Sequence, residues 1–324
     1  MTKADWQRAA ELAGFAPSIH NTQPWRLVVQ GEAVELWADR SRAVPLIDPT
    51  GRQLVVSCGA ALEQLRIALA AQGHDAHLTL APNPDSPDLL AILRLSDQPA
   101  DPVDYVLAPW ITRRATVRGA FESRPIPAEV VDRFHAEVSR AGAWLRPVVK
   151  SDDLIALSVL LSHADESERA DAGYLEELAA WRHRASLAHD GIPDAAVAVT
   201  TGRHTSLALR DFTVGASAPT NVEPDDHTVP VDERPFVVVV GTDDDGLRDW
   251  LTAGRAVARL LLRATADGVV ASPLNQVIDD PTPRQQLRAQ LGLLGQPQMV
   301  LRMGYGSAVP RTRRRPVSEY LTIG

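Results

Sequence analysis

GAALEQLRIALAAQGHDA (59–76) and GRAVARLLLRATADGVVA (254–271) align without a gap, and the reading of the fold starts from that match. Gly59, Ala61, Leu65, Ala71, Gly73 and Ala76 fall on Gly254, Ala256, Leu260, Ala266, Gly268 and Ala271. Leu62, Leu65 and Leu69 keep helical spacing, and the glycine that closes each copy suits a helix stop. Each helix leads to a similar strand, AILRL at 91–95 and MVLRM at 299–303. Upstream, AAELAGFAPSIHNTQPWRLVV (9–29) has a counterpart in FHAEVSRAGAWLRPVVK (134–150), with Trp25 opposite Trp144. Helical Ala and Leu matches are common, so each pairing is weak alone. Their shared order argues for two related α+β halves, 1–108 and 109–324, each with an antiparallel-type sheet flanked by helices. A solenoid needs more and shorter repeats.

The remaining elements follow from periodicity. Residues 4–14 read as a short helix. A strand at 25–29 pairs through Gly31 with an alternating stretch at 32–38. Helices are expected at 127–141, over much of 154–184 and at 252–268, and FVVVV (236–240) reads as a buried strand. Residues 189–235 lose periodicity and carry Gly191, Pro193, Gly202, Gly215, Pro219, Pro224 and Pro230. A segment of that length is a functional flap or is disordered. The final GYGSAVPRTRRRPVSEYL (304–321) reads as an arm.

The halves differ in their polar features. SIHNTQ (18–23) precedes Trp25, whereas the second copy reads RAGAWLRPVV with no such knot. TRRATVRGAF (112–121) opens the second half and has no counterpart in the first. Complementary, unshared polar pieces point to one composite site between the halves. Arg113, Arg114, Thr116 and Arg118 suit a phosphate, and suit a solvated surface cluster equally well. RTRRRP (311–316) is a nucleic-acid patch, a targeting signal, a solvated tail or a second phosphate contact. In VVASPLNQ (269–276), Pro273 is expected to interrupt regular structure and expose the backbone N–H groups of Leu274 and Asn275. A simple loop is the bland alternative.

Composition narrows the classes. The chain has 324 residues and a net charge of −8, with a pI near 5.6. No overall basic footprint for nucleic acid is present. A single cysteine, Cys58, excludes an intramolecular disulfide. The first residues read as an amphipathic helix, and no apolar run is expected to reach the roughly 20 residues of a membrane span. A cytoplasmic protein without nucleic-acid or membrane partners is expected. His20, His163, His183, His189 and His204 lack metal-binding spacing, so no metal is expected. Glycine-rich nucleotide loops are absent, and Ser18 lacks the setting of a hydrolase nucleophile. No catalytic side chain is assigned.

These motifs carry a resemblance. SIHNTQPW resembles the SxxNxQPW segment of the nitroreductase-like flavoprotein superfamily. RRATVRGAF followed by RPIPAEVVDRF resembles its RRSxRxF segment, and GYG followed by RRRP resembles its C-terminal arm. The ordinary family forms a homodimer with two flavin mononucleotide (FMN) sites at the interface. Here the NxQPW segment precedes the RRxTxR segment by about 90 residues, an order similar to the Acg branch, in which one chain mimics the dimer. The resemblance implies one FMN per chain. Arg114 and Thr116 would bind its phosphate, helped by Arg313 and Arg314. Arg118 would lie near flavin N1 and the C2 carbonyl, and Pro17, Ser18, Ile19 and Asn21 would line the ring. Pro273, Leu274 and Asn275 would approach flavin N5, where much of the family has a Glu in place of Asn275. The implied activity is NAD(P)H-dependent reduction of a nitroaromatic or quinone-like acceptor. A second reading is FMN storage beneath a lid, with RDFTVG (210–215) as a contact. A monomer is expected, and the sequence leaves further dimerisation open.

Overall fold

A computed structural model describes residues 1–182, 188–193, 207, 210, 233, 235–307, 309 and 311–324. Helix α1 (Lys3–Ala13) starts at a Thr2/Asp5 capping box, which satisfies two orphan N–H groups reciprocally. β1 (Trp25–Gln30) and β2 (Ala33–Ala38) form a hairpin turned by Gly31, whose φ of 59° favours glycine. Helix α2 (Arg52–Ala71) is followed by β3 (Ala76–Leu80) and β4 (Leu89–Leu95). The second series runs α3 (Pro102–Tyr105), α4 (Ala128–Arg140) and β5 (Trp144–Val148). It continues with α5 (Ser151–Ala170), α6 (Ala172–Ala180), β6 (Phe236–Thr242) and α7 (Leu247–Ala266). β7 (Val270–Pro273), α8 (Gln276–Asp279), α9 (Pro281–Gln290), β8 (Gln296–Gly304) and β9 (Leu321–Ile323) complete the chain.

The protein is a mixed α+β fold with sheets flanked by helices. One sheet has the order β3-β4-β2-β1-β9 and the other β7-β8-β6-β5. Setting β9 aside, the two orders superimpose element for element on the repeat read from the sequence. Pairings between these strands are antiparallel except β1–β9, which is parallel. The sheets are therefore not purely antiparallel: the C-terminal arm returns to edge the first sheet. Leu27 N donates to Tyr320 O at 2.6 Å and Gly324 N to Val29 O at 3.0 Å, which zips the arm down.

α2 starts seven residues before Gly59 and α7 five before Thr252. Both repeat glycines are thus mid-helix residues, there for close packing rather than as helix boundaries. Ile67 and Leu262, another repeat pair, are fully buried in one apolar cluster. Leu251 and Ala258 of α7 join the core formed by α1, α2 and the first sheet. α2 is also long and apolar enough to cross a membrane, contrary to the expectation that no such run exists. However, 89% of its apolar window is buried inside the protein, which makes it the core helix. Beside the crossing, fully buried Arg259 contacts Glu63 at 2.9 Å, Asp104 at 2.7 Å and Glu137 at 2.7 Å. These carboxylates offset the cost of taking the guanidinium out of water.

Candidate functional site

The knot between α1 and β1 is a 3-10 turn at Ile19–Asn21 with a strained backbone. His20, Asn21 and Gln23 have φ of 44°, 58° and 52°. Left-handed backbone costs a non-glycine residue roughly 1–2 kcal/mol, so such a cluster persists only where tertiary contacts impose it. They are present. Ile19 N donates to Ser57 Oγ of α2 at 3.1 Å, and Gln23 N to Ser18 Oγ at 3.0 Å. Cys58 Sγ donates to Pro24 O at 3.1 Å, and burial pushes that thiol upward, which leaves it inert.

The arginine segment lies along the β7 edge. Thr116 pairs with Ala271, and Val117 N donates to Ala271 O at 3.0 Å. The extended backbone alternates, so Val117 is buried while Thr116 and Arg118 face a cleft together with Arg114. Arg302 supports this loop from below. Its Nη2 donates to Gly119 O at 2.7 Å and Arg118 O at 3.3 Å, its Nη1 pairs with Glu233 at 2.6 Å, and it stacks on Phe121.

The arm closes the third side, and Arg311, Thr312 and Arg314 line the same cleft as Pro17, Ser18 and Asn21. Arg114 Nη2 and Arg314 Nη2 converge on Phe15 O, at 3.3 and 3.4 Å. The Nε atoms of both are buried without a hydrogen-bond partner. Among the described residues, neither guanidinium is ion-paired with a carboxylate. Burial pushes Arg114 down to about 10; burial and then the neighbouring Arg114 push Arg314 down to about 9. Burial and then Arg210 push Arg118 down to about 10. Two desolvated cations side by side make a cleft that is stabilised by an anion.

Other expected residues lie elsewhere. Ile19 packs against Val44, Ile47, Tyr174 and Leu178. The Arg313 side chain is exposed, and only its carbonyl turns inward, accepting from Asn21 Nδ2 at 3.2 Å. Pro273 stays in register with Leu301 as the last residue of β7. Leu274 is fully buried, and its N–H is donated to Val300 O at 2.9 Å, so in this conformation it is not free. Asn275 Oδ1 accepts from Val300 N at 3.3 Å. None of these three lines the cleft. Of the 189–235 segment, His189–Pro193, Leu207, Arg210, Glu233 and Pro235 are described. The remainder, including 211–215 of RDFTVG, and likewise His183 and His204, lie outside the described residues.

Cleft residues to which sequence reasoning assigned no individual role include Phe15, His20, Ile192, Thr312 and Arg311. Burial first, then Arg210 and Arg118, hold His20 well below its ordinary value and keep the imidazole neutral. Its place inside SIHNTQ was the available signal. Phe15 contributes a carbonyl, for which no sequence signal exists.

No family model matches the chain. The "Putative NAD(P)H nitroreductase Rv3131" of Mycobacterium tuberculosis (strain ATCC 25618 / H37Rv) is 34% identical over 317 residues, covering 95% of this chain and 88% of that protein. The "Putative NAD(P)H nitroreductase acg" of the same strain is 31% identical over 327 residues, covering 97% and 94%. Among solved structures, the FMN-dependent nitroreductase NfnB from Mycobacterium smegmatis in complex with NADPH is 18% identical, with a TM-score of 0.40 over 66% of this chain and 96% of that one. An FMN-bound nitroreductase from Bacteroides fragilis is 16% identical, with a TM-score of 0.35 over 64% and 94%. An α+β protein with an arginine-lined cleft is thus matched along nearly its whole length. The chain belongs to the nitroreductase-like family, in its Acg-like branch.

Proposed function

We propose that this protein binds one FMN in the cleft and acts as an NAD(P)H-dependent oxidoreductase on nitroaromatic or quinone-like acceptors. The observation that carries the proposal is the pair of adjacent guanidiniums, of buried Arg114 and half-buried Arg314, each with a buried, unsatisfied Nε. Their donor set fits a phosphate ester, with Thr116 as a further hydroxyl donor. Arg118 adds a cation away from that pair, where it would favour negative charge on a bound ring. When bound, the flavin supplies the hydride chemistry itself. The chain's part is to grip the phosphate, orient the ring and exclude water. The neutral His20 imidazole also lines the cleft.

The same cleft supports the storage reading. Ile192 lines it, so part of the 189–235 segment borders the ligand space. Anaerobic NADPH or NADH separates the two: rapid bleaching of bound FMN supports the enzyme, and FMN that stays oxidised for hours supports storage. A purified protein that is colourless and takes up no FMN rejects both.

The two halves, 1–108 and 109–324, are proposed to mimic a flavoreductase dimer within one chain. The shared strand order and the repeat pairs that meet across α2 and α7 support this. A self-complementary dimer contact would then be intramolecular, and one chain would suffice. Light scattering should give about 35 kDa, near the chain mass of 35.1 kDa. A value near twice that would count against it. A cytoplasmic location belongs to the same proposal.

A further inference from the structure

We infer that Asn21 and Gln23 are positioning residues that hold two segments distant in sequence, 189–192 and the arm at 312–315, together as two lips of the cleft and so set how fast its occupant leaves. The inference rests on the cleft being the FMN site.

Each carboxamide bridges the same two segments. Asn21 Nδ2 donates to Gly191 O at 3.1 Å and to Arg313 O at 3.2 Å. Gln23 Nε2 donates to His189 O at 2.8 Å, while its Oε1 accepts from Arg315 N at 2.8 Å. Arg315 Nη1 returns to Gln23 O at 2.9 Å. The cleft-lining residues, Ile192 on one lip and Arg314 on the other, are chain neighbours of the tethered ones. Arg42 reinforces the first lip, bonding Thr22 O and Asp190 together. Gln23 is fully buried, so losing either of its bonds leaves a buried polar group unsatisfied.

A purely structural amide would stabilise the loop without affecting one lip more than the other. The geometry predicts selectivity. Gln23→Glu keeps the acceptor for Arg315 N and removes the donor to His189 O, setting acceptor against acceptor. Gln23→Met removes both bonds. Hydrogen–deuterium exchange on the FMN-free protein reads this directly. We expect Gln23→Glu to speed exchange in 188–193 alone, and Gln23→Met to speed it in both 188–193 and 311–316, with β1 unchanged. With FMN loaded, release followed by the fluorescence of free FMN should quicken about tenfold in Gln23→Met, with association altered less than about threefold.

Uniform loosening that includes β1, no loosening, or unchanged FMN release from an opened lip would overturn the inference. A wild type that binds no FMN removes the flavin reading, and the exchange pattern still decides whether the amides hold the lips. If Gln23→Met does not fold, Gln23→Glu and Asn21→Asp, which removes both donors of Asn21, carry the same comparison.

Discussion

Gly59 and Gly254 meet where α2 crosses α7, and a Cβ on Gly254 would lie 2.9 Å from Gly59 Cα while overlapping the Val56 carbonyl. A Cβ on Gly59 would overlap the Leu251 carbonyl in turn. The contact is reciprocal between repeat-equivalent residues, as in a self-complementary dimer interface.

Gly254→Ala should therefore destabilise. In an unconstrained helix the change gains about 1 kcal/mol. Here the obstacle is backbone, which cannot rotate away, so a loss of about 1–3 kcal/mol is expected. Denaturant midpoints measure it. Gly59→Ala should behave alike, and the double variant should lose less than the sum, because both relieve one crossing. A gain in either single variant would show that the helices are not in close contact.

Arg114→Ala and Arg314→Ala should each weaken FMN binding by about 10–100-fold, the scale of one charged hydrogen-bond set at roughly 1.5–3 kcal/mol. Arg313→Ala should change it little, since its side chain is exposed. Titration of the FMN-free protein by fluorescence quenching ranks them. Equal losses for Arg313 and Arg314 would refute the assignment of Arg314 as the inward arginine.

Arg302 and Glu233 form a buried pair beneath the Arg118 loop, both fully buried in their side chains. Glu233→Ala leaves the guanidinium uncompensated and should cost about 3–5 kcal/mol. Adding Arg302→Met should recover much of that stability while leaving FMN affinity reduced, because Gly119 O and Arg118 O lose their donor. Thermal melts and FMN titrations on both variants give the two answers independently.

Acid sensitivity should trace to Glu63. Burial raises its carboxyl, but Arg255, Arg66 and Arg259 together outweigh burial and hold it well below its ordinary value of 4.5. A depressed folded value stabilises the protein above the unfolded value, and that contribution is lost as pH falls from there toward the folded one. Stability should thus be level near neutrality and decline below about pH 4.5. Glu63→Gln should be less stable at neutral pH and decline less on acidification. Urea midpoints between about pH 6 and pH 3 test the slope; parallel curves would exclude Glu63 as the source.

Much of this was legible in the sequence because it rests on local periodicity. The repeat forecast the doubled strand order, and SIHNTQ and RRATVR were singled out as parts of one site. The arm was harder. RTRRRP offers adjacent arginines that local rules cannot tell apart. Arg314 turns in to Phe15 O, Arg313 turns out, and Arg315 clasps Gln23, a partner 292 residues away. Pro273 by its type implies a break that frees the Leu274 N–H, yet the sheet continues through it and takes up that N–H.

The sequence by itself determined the internal repeat, its main helices and strands, and which polar segments each copy carries, because hydrophobic spacing and composition are properties of neighbours along the chain. Only the tertiary structure decided that Gly59 and Gly254 are a contact inside two longer helices. It alone joined β9 to the first sheet and selected which arginines share the cleft. Those outcomes depend on close approach and on the hydrogen-bonding needs of buried groups, and both are set by residues brought together from opposite ends of the chain.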